Sequence, residues 1–166
     1  MYKSKILVIN GPNLNMLGIR DPSIYGSLSL ETINEELRKI AEASNYLAEF
    51  FQSNDEGEII SRIQRVYSST ETSGILINAA AYSHTSIGIL DALTIRGKDN
   101  PFPYVEVHLS SPEQRESFRL HSYLEAKAIS TISGKQAGSY YEGLKVLILH
   151  LEKMMPAEYR AQVKIK

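Results

Sequence analysis

Cysteine is missing from all 166 residues, which removes disulfides, thiolate nucleophiles and Cys-based zinc sites together. Such a chain suits a reducing compartment, so a cytoplasmic location is expected. An excess of either charge is missing too. Eighteen Lys and Arg stand against nineteen Asp and Glu, a formal charge of −1 that gives no basic field to gather nucleic acid. Long apolar runs are also lacking: the first one, "KILVIN", ends at Asn10-Gly11-Pro12, too soon for a signal-peptide core or a membrane span. Neither G-x-G-x-x-G nor G-x-x-x-x-G-K-[ST] occurs, so no dinucleotide or nucleoside triphosphate is signalled, and without G-x-S-x-G there is no nucleophile elbow.

What is present is alternation. The stretches "KILVIN" (5–10), "YLAEFFQ" (46–52), "GILIN" (74–78), "YVEVHL" (104–109) and "AISTIS" (128–133) read as five strands. Between and after them apolar residues recur at helical spacing: Leu30, Ile33, Leu37, Ile40; Ile59, Ile60, Ile63, Val66; Ile87, Leu90, Leu93; and Leu144, Leu147, Ile148, Leu151. Strands alternating with helices imply right-handed crossovers and a parallel sheet covered on both faces. The expected fold is α/β, flavodoxin-like, with strand order 2-1-3-4-5. One catalytic-sized domain over 1–155 and a tail over 156–166 are expected, large enough to bury roughly 68–70% of the unfolded surface.

In that strand order the winding reverses between strands 1 and 3, and ligands bind where their carboxyl ends open a crevice. The loops placed there are "GPNLNMLGIRDPSIYG" after strand 1, "NAAAYSHTS" after strand 3 and "HLSS" after strand 4. A phospho-receiver would need carboxylates at the ends of strands 1 and 3, where this chain has Asn10 and Asn78.

Glu106 and His108 lie two apart at the end of strand 4, so their side chains share one side of the sheet. A carboxylate so placed can orient an imidazole and favour its protonated form, the makings of a general acid; the pair could equally be a buried couple that satisfies itself. His84 could join His108, but with no helical His/acid ligand spacing and no cysteine, no metal is expected. Tyr25 is a poor base at its ordinary pKa near 10. Arg20 in the same loop favours phenolate, although lowering the pKa to about 7 takes roughly 4 kcal/mol, which one Arg does not clearly supply. Arg115 or Arg119 could add charge there, or all three could lie on the surface. Asn13, Asn15 and Asn78 could serve a ligand or simply brace turns. In "HLSSPEQRE", Ser110, Ser111 and a short helix opened by Pro112 resemble either a carboxylate cradle or an ordinary N-cap. The set as a whole suits proton transfer on a small polar anion.

Across about 1–152, the segments "ILVINGPNLNMLGIRDPSIYG", "FFQSNDEGEII", "ILINAAAYSHTSIGILDAL" and "VEVHLSSPEQRESFRLHSY" resemble the type II 3-dehydroquinate dehydratases, in that family's order and spacing. The resemblance implies a flavodoxin-like protomer without metal or organic cofactor, assembled as a dodecamer, a tetramer of trimers. It implies reversible dehydration of 3-dehydroquinate to 3-dehydroshikimate by anti elimination through an enolate, in the shikimate or quinate pathway. Carried over by motif, Tyr25 beside Arg20 is the base, Asn13 helps stabilise the enolate, and His108 held by Glu106 protonates the departing hydroxyl. Leu109 and Ser110 present backbone N–H groups to the substrate carboxylate. Asn78, His84 and Arg119 hold ring hydroxyls, Asp91 comes from a neighbouring subunit, and Arg115 is a further basic position. Residues 18–26 resemble the family's lid. Ala79 and Ala80 stand where many members have Pro-Gly, Asp55 stands where His is usual, and "TIRGKDNPFPY" is longer than the common connection. The backbone around residues 79–80 is therefore expected to sit differently. The rival from another class is a non-catalytic flavodoxin-like binding module holding a flavin or a regulatory partner.

Overall fold

Residues Ile6, Leu7, Val8 and Ile9 are all fully buried, which a strand achieves only when both of its faces are covered. Ile6 and Val8 enter one apolar cluster, Leu7 and Ile9 the other. The computed structural model, which describes residues 4–19, 22–97, 99–111 and 116–154 (backbone alone at 22 and 25), shows how that cover is built.

Five parallel strands, β1 (Ser4–Asn10), β2 (Tyr46–Gln52), β3 (Thr72–Asn78), β4 (Tyr104–Val107) and β5 (Thr131–Ile132), form one sheet in the order β2-β1-β3-β4-β5. The expected strand order is thus borne out. The helices are α1 (Pro22–Tyr25), α2 (Leu30–Ala43), α3 (Glu56–Tyr67), α4 (Ile87–Leu93) and α5 (Ala137–Met154). On one face α2 and α5 pack on each other and on the sheet; on the other, α3 packs against α4. The helix starts follow local chemistry. Ser29, Asp55 and Ser86 each accept a hydrogen bond from the backbone N–H three residues on, capping α2, α3 and α4. Asp55 therefore has a helix-capping role.

Four expectations need correction. Strand 4 ends at Val107, so His108 and Leu109 lie just beyond it, and strand 5 shrinks to two paired residues, Thr131 and Ile132. Ile87, assigned to the apolar stripe of its helix, is 54% exposed at the first position of α4, while Ile89 and Leu93 supply the burial. Within the loop after β1, Pro22–Tyr25 forms a helical turn that no periodicity announced.

The long connection before β4 has a packing role. The Arg96 guanidinium lies over the rings of Tyr67 and Phe102, at 5.4 and 5.8 Å from their centroids, closing this connection onto the end of α3.

Candidate functional site

The register of the sheet collects the site. Asn10 pairs with Gln52 on one side and with Asn78 on the other, so three amide side chains end adjacent strands in a row. Where β1 and β3 meet, the Gly11 N–H donates to the Asn78 carbonyl at 2.8 Å and draws the two loops together.

Asn13 follows with a left-handed backbone, φ 66, which Asn tolerates better than most residues. Its N–H donates to Asn54 Oδ1 at 2.9 Å, and Gln52 Nε2 donates to the Gly11 carbonyl and to Asn54 Oδ1. Asn54 in turn accepts, through its carbonyl, the Tyr82 hydroxyl from the loop after β3 at 2.7 Å. Gln52 and Asn54, for which the sequence carries no signal of such a role, join the loops after β1, β2 and β3.

Past β3 the backbone turns sharply. Ala80 takes φ 51, a conformation glycine occupies without strain. The Ala80 N–H donates to Asn78 Oδ1 at 3.0 Å, and Asn78 Nδ2 donates to the Tyr140 hydroxyl at 2.9 Å. Asn78 is therefore fixed at both ends of its amide. The turn carries His84, whose Nδ1 donates to the His121 carbonyl at 2.7 Å and leaves Nε2 available.

Glu106 and His108 lie on the opposite face of the sheet from Asn78, as alternation from Val105 and Val107 requires. The expected pairing is present: His108 Nε2 meets Glu106 Oε1 at 2.9 Å, with the carboxylate wholly buried and the imidazole 10% exposed. Two further hydroxyls hold the carboxylate, Ser122 at 2.6 Å and, more weakly, Thr131 at 3.4 Å. Thr131 arrives because β5 pairs it with Glu106. The rings of His84 and His108 run nearly parallel, 13° apart in plane with centroids at 6.4 Å. With Nε2 committed to the carboxylate, Nδ1 of His108 is the nitrogen left for proton transfer. Among the described residues, no cluster of His, Asp and Glu could hold a metal ion.

Leu109 is buried and its carbonyl accepts the Gln136 N–H at 2.9 Å; Ser110 is half-buried beside it. The turn Ser117–Arg119 packs against the turn Ala80–His84, bringing Arg119 to the neighbourhood of His84. There the Arg119 guanidinium pairs with Glu116 at 2.9 Å and stacks on Phe118. Asp91 is exposed on α4 and makes no described contact with these groups. Arg20, Arg115 and the Pro112 turn lie outside the described residues, as does the side chain of Tyr25. Gly18 and Gly26, at the two ends of the segment resembling a lid, both take positive φ, 87 and 86.

Fold and site together define a flavodoxin-like α/β protein with a carboxylate-held histidine and a row of fixed amides at the carboxyl edge of its sheet. Comparison with known proteins gives this class its family. Residues 4–148 match the family described as Dehydroquinase class II, and the chain belongs to that family. It is 49% identical over 152 residues to the 3-dehydroquinate dehydratase of Acaryochloris marina, covering 92% of this chain and 98% of that one. Among solved structures it is similar to the type II dehydroquinase of Butyrivibrio crossotus, with TM-score 0.80, 40% identity, and 87% and 97% of the two chains covered. That of Propionibacterium acnes gives TM-score 0.79 and 34% identity over 89% and 98%.

Proposed function

We propose that this chain is a hydro-lyase that converts 3-dehydroquinate reversibly to 3-dehydroshikimate and water. The observation that carries the reading is the His108–Glu106 pair at the end of β4, beside His84, in a member of the class II dehydroquinase family. The binding-module alternative is not favoured, since a module that only holds a ligand has no use for a buried carboxylate spent on orienting one imidazole.

In the proposed reaction Tyr25, as phenolate beside Arg20, takes the proton next to the ketone, and Asn13 helps hold the water or oxyanion that stabilises the enolate. The enolate then expels the hydroxyl on the opposite side of the ring, and His108 protonates it as the C–O bond breaks. Water leaves, the ring keeps the new double bond, and the proton on Tyr25 returns to His108 through solvent. Leu109 and Ser110 receive the substrate carboxylate; Asn78, His84 and Arg119 hold ring hydroxyls. Closure of residues 18–26 excludes water, which strengthens each charge interaction inside.

The assembly we propose is a dodecamer, a tetramer of trimers, in which Asp91 reaches a neighbour's substrate. Ile87 and Asp91 are both exposed and, four residues apart, share one face of α4, which suits such a contact. No helix among the described residues is long and apolar enough to cross a membrane, and we place the enzyme in the cytoplasm.

Purified protein mixed with 3-dehydroquinate should generate the ultraviolet absorbance of a conjugated enone with no metal or organic cofactor added. A flat trace at high enzyme concentration would remove the proposal.

A further inference from the structure

We propose that Tyr140, a buried residue with no part in the reaction just described, is a positioning residue that sets the Asn78 amide for the substrate. The inference rests on the reading of Asn78 as a substrate ligand. Tyr140 sits in the first turn of α5, fully buried, 62 residues from Asn78 in the chain. Helix α5 lies tightly on the sheet one turn further on: a Cβ at Gly143 would fall 2.5 Å from Val107 Cγ1 and 3.0 Å from Leu76 Cδ1. That approach lets the phenol reach the carboxyl ends of β1 and β3.

The hydrogen bonds there run in one direction, and a backbone group decides which. The Ala80 N–H can only donate, so the Asn78 atom facing it at 3.0 Å is the oxygen. Asn78 Nδ2 therefore faces Tyr140 and donates to its oxygen at 2.9 Å. With that oxygen accepting, the phenolic proton goes to Asn10 Oδ1 at 2.6 Å. Burial pushes the Tyr140 hydroxyl well above its ordinary pKa, with the Asn78 bond opposing, so the proton stays in place throughout the working range. A phenyl ring without the hydroxyl would leave Asn78 Nδ2 without this acceptor in a site that admits little water. The amide would then be held at one end only, by Ala80.

Each amide at the crevice thus keeps limited capacity for a ligand. Asn78 has one N–H and one lone pair left after these two bonds, and their direction is dictated by Tyr140 and Ala80 together. Beyond Tyr140 the chain of bonds ends at Asn10 Nδ2, which is buried and has no hydrogen-bond partner among the described residues. The orientation is imposed jointly, from the helix by Tyr140 and from the turn after β3 by Ala80.

The test is steady-state kinetics of Tyr140→Phe with 3-dehydroquinate, alongside Asn78→Ala and the double variant. Tyr140→Phe keeps the ring in its apolar cluster, and the expected result is a KM raised about ten-fold, the loss of one hydrogen bond, with kcat within about three-fold. In the Asn78→Ala background the second change should raise KM no further, because both act through one amide. A variant with lowered Tm and unchanged KM would overturn the proposal and leave Tyr140 a packing residue. Asn78→Ala with parental KM would overturn the reading of Asn78 and this proposal with it, whereas an inactive parent would refute the function itself. Should Tyr140→Phe fail to fold, Asn10→Ala frees the phenolic proton from the far end and should raise KM several-fold; unchanged KM there would equally count against the proposal.

Discussion

Replacing Glu106 by Gln isolates what the charge of the buried carboxylate contributes. The shapes match, and the hydrogen bonds can be kept. The amide oxygen can take the place of Oε1 and accept from His108 and Ser122, while the amide nitrogen faces the Thr131 hydroxyl, which can accept. Only the charge is lost. A bond to a charged group is worth about 1.5–3 kcal/mol and a neutral one about 0.5–1.5, so His108 loses roughly 1–1.5 kcal/mol of support from its partner. Because that support favours the protonated imidazole over the neutral one, its loss leaves fewer molecules with the acid in place, a fall of up to about ten-fold in kcat. His108→Ala removes the acid itself and should cost about 10²–10⁴. Glu106→Ala is a different perturbation: it strands His108 Nε2 in a buried place, at about 1–3 kcal/mol of stability, while the half-buried Ser122 hydroxyl still accepts from the Leu124 N–H. The enone assay, with thermal unfolding in parallel, reads all three. If Glu106→Gln turned over at the parental rate while His108→Ala was crippled, the carboxylate would not be what makes this histidine an acid.

Tyr25→Phe should lose turnover by roughly 10²–10⁴ while still binding product in equilibrium titration, because the ring keeps its shape and only the base is gone. Ala80→Gly should be slightly more stable than the parent, by about 0.5 kcal/mol in urea unfolding. Relief of about 1–2 kcal/mol of left-handed strain is offset by about 0.4–1 kcal/mol of unfolded-state freedom and a partly buried methyl. Stability should also fall in alkali. Burial raises the hydroxyls of Tyr46, to about 12, and of Tyr104 and Tyr140 further, so the unfolded chain ionises first. Their contribution is complete below pH about 10 and is lost as pH climbs toward the folded values; Tyr46→Phe should flatten the decline in Tm between pH 10 and 11.

Which parts of this protein could be read from its sequence follows from how far apart the cooperating residues lie. Strand β2 has the bounds its sequence predicts, Tyr46–Gln52, because a mostly apolar and aromatic run, interrupted only by Glu49, is a local signal. The Glu106 and His108 pair was legible for the same reason, since two residues on one side of a strand need nothing but the pleat. Ser122 and Thr131, which hold the same carboxylate, come from 16 and 25 residues away, and only the β4–β5 register brings Thr131 to it. Tyr140 could not be linked to Asn78 without the seating of α5. The excess length expected of strand 5 has a physical cause as well: "AISTIS" has strand composition throughout, but its backbone bonds to β4 run only from Ile129 to Ile132, with Thr131 and Ile132 in register as paired strand residues. Ile87 failed because periodicity marks a stripe and says nothing of which residue in it begins the helix, outside the reach of the core.

The site divides by face, and the division has a consequence for how its parts are held. On the α2 and α5 side, Asn78 takes its orientation from a backbone N–H and a helix phenol. On the α3 and α4 side, His108 takes its orientation from a carboxylate that two hydroxyls fix in turn. In the loops between, Asn54 accepts the Asn13 backbone N–H and the His121 carbonyl accepts His84 Nδ1. Groups arranged in this way need not reorganise when charge develops beside them, which is where preorganised sites gain most of their advantage over water. A change in any one holder should therefore disturb a single group and leave the others in register. Ser122→Ala should lower kcat through His108 without touching KM, and Tyr140→Phe should do the reverse through Asn78; if both variants shifted both constants alike, the two faces would be one network after all.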